Sequence, residues 1–250
     1  MRVFLTGRLA VETSEGSFDE TDLPGTQGRV AFAALSLNRN PVARHELADI
    51  VWDSESLPDH WSSALNSIIS KIRSVLRSIG LDSRSTLTQT AGSYQLIFPT
   101  STWMDLEDAV RRLDRAAGAL RHGDHERAVS EATVASGIYQ RPFLPGADGI
   151  WIDTVRLRHR DALYHTSEIL AAGWTKLGDP DLAATCARRA INTDPYREAA
   201  YRLLMNAEAA RGDRGAALQA FEHCRRMLAD ELDVDPSRET MDARHRIASS

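Results

Sequence analysis

The stretch from Trp61 to Ile79 carries polar side chains whose types and spacing suit contact with a polyanion. At about 100° per residue, one side of this helical pattern is apolar and the other bears hydroxyls, an amide and cations. No Asp or Glu occurs between Asp59 and Asp82. Short polar side chains let a helix approach a polyanion closely, and cations hold it there. The pattern alone also fits an ordinary surface helix in an acid-poor patch. The polar side comprises Ser63, Asn66, Ser67, Ser70, Arg73, Ser74 and Arg77, with Lys71 at its edge.

Charge is distributed unevenly along the 250 residues, whose formal net charge is −5. Residues 1–59 carry 5 Lys/Arg and 10 Asp/Glu, whereas residues 60–104 carry 4 and 1. Residues 105–250 are acidic again, with 21 and 24. The molecule as a whole is therefore no general nucleic-acid binder, and the only positive block contains the helix described above.

Catalytic and metal-binding patterns are not found in the sequence. We find no phosphate-binding loop, no dinucleotide fingerprint and no nucleophile elbow. His122 and His125 are three residues apart, but their turn supplies no further metal ligand, so a solvated pair is the better interpretation. We therefore expect no enzyme activity, no cofactor and no metal.

The location of the protein is also constrained by the sequence. It has no apolar run long enough to span a membrane, and its N-terminus lacks a signal-peptide core. Two cysteines, Cys186 and Cys224, do not form a disulfide framework, so we expect both to be buried and unreactive. A cytoplasmic location is predicted.

The first hundred residues must position the polar helix. Alternating apolar residues in 1–24 predict a short hairpin or small sheet, and a first helix follows around Val30 to Leu37. The segment PVARHELADIVW reads as a second helix into which Val42 leads, and a polar loop over residues 53–60 precedes the third. Residues 85–98 predict a hairpin around a turn at 91–93. This order predicts a winged helix-turn-helix preceded by strands.

The rest of the chain shows a helical repeat. A Gly-Asp pair begins related segments at Gly178 and Gly212, which are 34 residues apart, the period of a tetratricopeptide repeat. An earlier copy begins at Gly123, and a Pro- and Gly-rich insertion around 141–149 explains the longer spacing. We expect about three helical pairs plus terminal helices, with Phe143 and Trp151 fixing the insertion to the helical stack.

These segments together resemble the Streptomyces antibiotic regulatory protein family of bacterial activators. The resemblance covers nearly the whole chain and predicts two domains, a winged helix-turn-helix over 1–99 and an all-α bacterial transcriptional activation domain over 105–250. The segments that match the family are LTGRLAV, GTQGR, NRNPVARHELADIVW, LNSIISKIRSVL and GSYQL in the first domain. In the second domain they are YQRPFLPG with Trp151, and ALQAFEHCRRMLADELDVDPSRET.

The resemblance implies that the third helix enters the major groove of promoter DNA and that the wing contacts the minor groove or the backbone. It further implies recruitment of RNA polymerase, with a homodimer as a possible assembly. We expect this chain, unlike larger relatives in the family, to carry no module that senses ATP through a phosphate-binding loop. The implied DNA-binding residues are Arg29, Ser63, Asn66, Ser67, Ser70, Lys71, Arg73, Arg77 and, on the wing, Thr90.

Three departures from the family pattern leave an alternative open. Gln27 and Gly28 stand where the family commonly has Lys-Gln, and Thr90 stands where it commonly has Arg. Each lost cation removes a phosphate contact, so DNA affinity should be lower and less sensitive to salt. The alternative is a protein-interaction scaffold whose winged helix has lost its affinity for DNA.

Overall fold

The computed structural model describes residues 1–53 and 57–249, so part of the polar loop predicted over 53–60 lies outside the described residues. The strands are β1 (Arg2–Phe4), β2 (Ala10–Glu12), β3 (Ser17–Asp19), β4 (Val42–Ala43), β5 (Leu87–Thr90), β6 (Ser93–Leu96) and β7 (Trp103–Met104). The helices are α1 (Gly25–Leu37), α2 (Arg44–Trp52), α3 (Trp61–Ser78), α4 (Ser83–Thr86), α5 (Asp105–Arg121), α6 (His125–Tyr139), α7 (Ile150–Leu177), α8 (Pro180–Thr193), α9 (Glu198–Ala210), α10 (Arg214–Leu232) and α11 (Arg238–Ser249). The mainly helical fold class predicted from the sequence is confirmed.

The chain forms two compact units. The first contains Met1–Asp108 together with Arg141–Leu157, and the second contains Ala109–Gln140 together with Arg158–Ser250. This division differs from the one expected from the sequence, because residues 141–157 belong with the first unit.

The N-terminal sheet is predicted correctly and gains one strand from further along the chain. Its order is β3-β2-β1-β7, with β1 antiparallel to β2 and parallel to β7. The buried carboxylate of Asp105 accepts hydrogen bonds from the backbone N–H groups of Leu5 and Thr6 and from the Thr6 hydroxyl. Burial raises the pKa of Asp105, while these hydrogen bonds oppose that effect.

A winged helix-turn-helix forms the part of the first unit between β3 and β7. Helices α1, α2 and α3 are followed by a hairpin of β5 and β6, and β4 pairs with β6 on its other side. Val42 is a correction to the predicted second helix: it lies in β4, opposite Tyr94, because it is buried against the hairpin while the helix begins at Arg44. The core side chains are Val30, Phe32, Leu35, Leu47, Leu65, Ile69, Ile72, Leu76, Leu87 and Tyr94.

The second unit contains the predicted helical pairs. The turns within α5–α6, α7–α8 and α9–α10 each contain a glycine with φ near +80°: Gly123, Gly178 and Gly212. The aspartate that follows each glycine caps the next helix by accepting a hydrogen bond from a backbone N–H of its first turn. The Gly-Asp pairs recognised in the sequence are therefore the turn and cap of each pair, and α11 is the terminal helix.

The insertion at 141–149 joins α6 to α7, and it contacts the N-terminal sheet as well as the start of α7. Phe143 is buried in the first unit, where it forms a β-bridge with Thr6 and an edge-to-face contact with Trp151 at 5.8 Å. Phe143 therefore fixes the insertion to the N-terminal sheet through Thr6 and to the start of α7 through Trp151. The contact with the sheet is the part that the sequence did not indicate, because it depends on backbone pairing with Thr6.

Both cysteines are buried as predicted, and burial raises the pKa of the Cys224 thiol to about 12. No helix among the described residues is long and apolar enough to cross a membrane.

Candidate nucleic-acid interface

Helix α3 presents one buried and one exposed face. Leu65, Ile68, Ile69, Ile72 and Leu76 are buried, as the sequence pattern predicts. Because the apolar residues recur at helical spacing, their burial turns the hydroxyl, amide and cationic side chains to the outside. The exposed side chains are Ser62, Ser63, Asn66, Ser67, Ser70, Lys71, Ser74, Arg77 and Ser78.

Six of the predicted site residues come together on this face. Ser63, Asn66, Ser67 and Ser70 follow one another along the helix, with Lys71 beside them and Arg77 in the last turn. A cation in the last turn interacts favourably with the negative end of the helix dipole. The face therefore offers short polar groups over its first three turns and a positive charge at its end.

Arg73 takes a structural role that the sequence did not indicate. It is half-buried, and its Nε and Nη2 donate to the backbone oxygen of Leu87 at 3.2 and 2.9 Å. The side chain therefore turns toward the start of β5, where that carbonyl lies, and it is not part of the exposed face.

Arg29 does not join the α3 face either. It is half-buried on α1, donates to the Thr26 hydroxyl at 3.0 Å, and lines a small cavity with Leu5, Glu20 and Leu144. An open cleft of about 480 Å³ beside α3 is instead lined by Gln27, together with Pro24, Gly25, Trp52, Ala64, Ser67, Ile68 and Lys71.

Close packing of Gly28 against Pro24 explains one departure from the family pattern. A Cβ atom at this position would lie 2.4 Å from Cγ of Pro24, closer than non-bonded carbons approach. A longer residue here would displace the start of α1, so this chain requires glycine where the family commonly has glutamine.

Thr90 is exposed at the tip of the wing. It pairs with Ser93, and the two residues between them, Ala91 and Gly92, have φ of 49° and 77°. Two consecutive residues with positive φ are typical of the two-residue hairpin turn whose twist matches that of the strands. The carbonyl of Gly92 accepts a hydrogen bond from the backbone N–H of Arg44 at 3.0 Å, which fixes the wing tip to the start of α2.

Arg44 is a residue that the sequence analysis missed. Its Nη2 donates to the Ser62 hydroxyl at 2.9 Å and to Oδ1 of Asn66 at 3.0 Å. Its Nε is buried and has no hydrogen-bond partner within the described part of the chain. The sequence did indicate such a role for Arg44. A cation at the first position of a helix interacts unfavourably with the positive end of the helix dipole, so a compensating contact is expected there.

Comparison with known families decides which family the chain belongs to. The model of the bacterial transcriptional activator domain matches residues 104–248, more than half of the chain. The chain belongs to this family. The family predicted from sequence motifs is thereby confirmed.

Similar proteins in the activator-domain family are regulators of transcription. The chain is 27% identical over 223 residues to the transcriptional regulatory protein MoaR1 of Mycobacterium tuberculosis, covering 87% of this chain and 71% of that protein. It is 28% identical to the regulatory protein AfsR of Streptomyces griseus, covering 88% of this chain and 22% of AfsR. It is also 28% identical to the transcriptional regulatory protein EmbR of M. tuberculosis, covering 88% of this chain and 57% of EmbR.

A solved structure shows the same fold. The structure of M. tuberculosis EmbR in complex with a low-affinity phosphopeptide superposes with a TM-score of 0.86 and 23% identity, covering 98% of this chain and 64% of that one. The family match and the sequence relatives, by contrast, identify the chain as a transcriptional regulator and do not favour the scaffold alternative. Among the described residues, no group of three His, Cys, Asp or Glu could hold a metal ion.

Proposed function

We propose that this activator-domain protein binds double-stranded promoter DNA in a sequence-specific manner through α3 and the β5–β6 wing. The observation that carries this proposal is the exposed face of α3, which combines Ser63, Asn66, Ser67 and Ser70 with Lys71. No carboxylate lies between Asp59 and Asp82, so the face carries no charge that would repel phosphate.

The short side chains of the α3 face suit insertion of this helix into the major groove. B-DNA has a major groove about 12 Å wide, which admits one α-helix. Because the serines are short, the α3 backbone can approach the base edges closely while their hydroxyls bond to bases, phosphates or bridging waters. The wing would place Thr90 against the backbone or the minor groove, beside the same site.

The electrostatic part of this binding is modest. Of the expected cations, Lys71 and Arg77 lie exposed on α3, while Arg73 and Arg29 are half-buried and hydrogen-bonded within the protein. Few phosphate contacts give weak binding by a single copy at physiological salt. A homodimer on two half-sites would double the contacts, which is why we include dimerisation in the proposal.

The helical pairs of the second unit would supply the protein-contact surface. Stacked helical hairpins of this kind bury one face against their neighbours and leave a concave surface for a partner. We propose that this surface recruits RNA polymerase and that the regulator acts as an activator in the bacterial cytoplasm, where promoter DNA lies.

Selection of genomic DNA fragments by the purified protein tests the proposal. We expect the wild-type protein to enrich fragments that share a motif, and Ser67→Glu combined with Ser70→Glu to abolish enrichment by placing two negative charges on the α3 face. Ser130→Glu combined with Gln219→Glu is the matched control, because it adds the same charge at exposed positions of the second unit. Folded wild-type protein that enriches nothing at low salt would refute DNA binding.

A further inference from the structure

The side-chain amide of Asn66 is held in one orientation by two neighbours. Its Oδ1 accepts one hydrogen bond from Nη2 of Arg44 at 3.0 Å and another from the hydroxyl of Tyr94 at 3.1 Å. Both neighbours are themselves fixed: the Tyr94 side chain is buried, and the Arg44 backbone bonds to the wing tip. Within the described residues the structure shows no acceptor for Nδ2 of Asn66, on the exposed side of the helix.

The hydrogen-bonding chemistry of Arg44 determines which end of the Asn66 amide faces inward. An arginine guanidinium carries donors only, so the atom of Asn66 that faces Arg44 must be the oxygen. Turning the amide over would place its NH₂ group against a cation that has no acceptor. A charge-assisted hydrogen bond is also stronger than a neutral one, so this orientation is held firmly.

The outward side of Asn66 therefore offers donors and no acceptor. Asparagine commonly reads adenine through two bonds, donating to N7 and accepting from the amino group at N6. The second of these bonds needs Oδ1, which here is already occupied by Arg44 and Tyr94. Guanine presents two neighbouring acceptors, N7 and O6, which match an outward NH₂ group.

We propose that Asn66 is a specificity-determining residue which, held by Arg44 and Tyr94, selects guanine over adenine in the major groove. This inference rests on the proposed DNA binding through α3. Arg44 and Tyr94 then act as positioning residues, because they set what Asn66 offers without themselves contacting the base.

Selection from a pool of randomised DNA duplexes tests this assignment. We expect the wild-type motif to contain one guanine that Asn66→Ala relaxes, with at least about a fivefold preference over adenine at that position. Tyr94→Phe combined with Arg44→Met frees Oδ1, so adenine should become as acceptable as guanine there. A thermal unfolding curve for each variant verifies that it is folded.

A second variant keeps the local fold intact. Asn66→Asp retains an acceptor for Arg44 and Tyr94 but turns an acceptor outward, so the preferred base should change from guanine to cytosine, whose amino group donates. Adenine at the Asn66-dependent position of the wild-type motif would overturn the inference while leaving DNA binding intact. A motif with no Asn66-dependent position would do the same, whereas no motif at all would overturn both proposals.

Discussion

The guanidinium of Arg73 donates two hydrogen bonds to the backbone oxygen of Leu87, joining the middle of α3 to the first residue of β5. Helix α3 and the wing are therefore linked by a side chain that projects from the helix itself. Arg77 lies four residues later and is exposed, and among the described residues its one side-chain contact in the structure is a long 3.5 Å approach to the Ser83 hydroxyl. The two arginines look alike in sequence, but the structure gives them different roles.

Substitution of these two arginines should have different effects on stability. Arg73→Ala leaves the Leu87 carbonyl without its partner, so the free energy of unfolding should fall by roughly 2 kcal/mol. Arg77→Ala should change it by less than about 0.5 kcal/mol. Urea denaturation of both variants measures the difference. Equal stability of the two would show that the Arg73–Leu87 contact does not hold the wing.

The dependence of DNA affinity on salt should follow the number of exposed cations. Lys71→Ala and Arg77→Ala should each lower the slope of log affinity against log salt by about 0.9 if each contacts one phosphate. Thr90→Arg should raise the slope by the same amount, because it restores the cation that the family commonly has on the wing. Ser130→Arg adds the same charge in the second unit and serves as the control. A slope unchanged by Thr90→Arg would place the wing away from the DNA backbone.

Ala91 occupies a backbone conformation that suits asparagine or glycine better. Its φ of 49° places its Cβ close to the backbone, which costs roughly 1 kcal/mol for a residue with a side chain. Ala91→Asn should therefore stabilise the protein by up to about 1 kcal/mol, while Ala91→Val should destabilise it. Thermal unfolding of the two variants would show shifts of opposite sign. A valine variant as stable as wild type would contradict the strained turn.

Helical periodicity was enough to place α3 to within one residue, because its apolar side chains recur at the spacing that burial requires. The Gly-Asp pairs placed the turns of the repeats for a similar reason, since both residues act within a few positions of themselves. Local patterns of this kind are readable in one sequence.

Contacts between distant segments were not predictable in this way. Arg44 reaches Asn66 only because α2 crosses α3, and Val42 joins a strand only because β6 lies beside it. Phe143 likewise finds its partner 137 residues earlier, at Thr6. Each of these contacts depends on tertiary packing, which leaves no periodic signal in the residues involved.

Glu208 connects helices α8 and α9 through a buried carboxylate. Its side chain is only 2% exposed and bonds to Arg188 and to Arg211. Glu208→Gln keeps the shape but removes the charge, so we expect a loss of roughly 2 kcal/mol, a value limited by the partial exposure of both arginines. The control is Glu222→Gln, which breaks an exposed pair with Arg225 and should cost under about 1 kcal/mol. If denaturation curves showed the same loss of unfolding free energy in both variants, burial of the Glu208 carboxylate would not strengthen its ion pairs.

His159 should make the second unit less stable at mildly acidic pH. Its half-buried ring packs edge-to-face with Tyr139, and burial lowers its pKa to about 4 from a usual value of 6.5. The unfolded chain binds a proton near pH 6.5, while the folded chain does so only near pH 4. The free energy of unfolding that neutral His159 contributes is therefore fully present above pH 6.5, and it is lost as the pH is lowered toward 4.

The expected loss between pH 6.5 and 5 is on the order of 2 kcal/mol, at a pH still above the usual range of carboxylates. His159→Phe keeps an aromatic ring against Tyr139 but cannot be protonated, so its unfolding free energy should be nearly constant over this interval. Urea denaturation at half-unit pH steps compares the two proteins. If the variant lost as much stability as the wild type, the protonation of another group would have to be responsible.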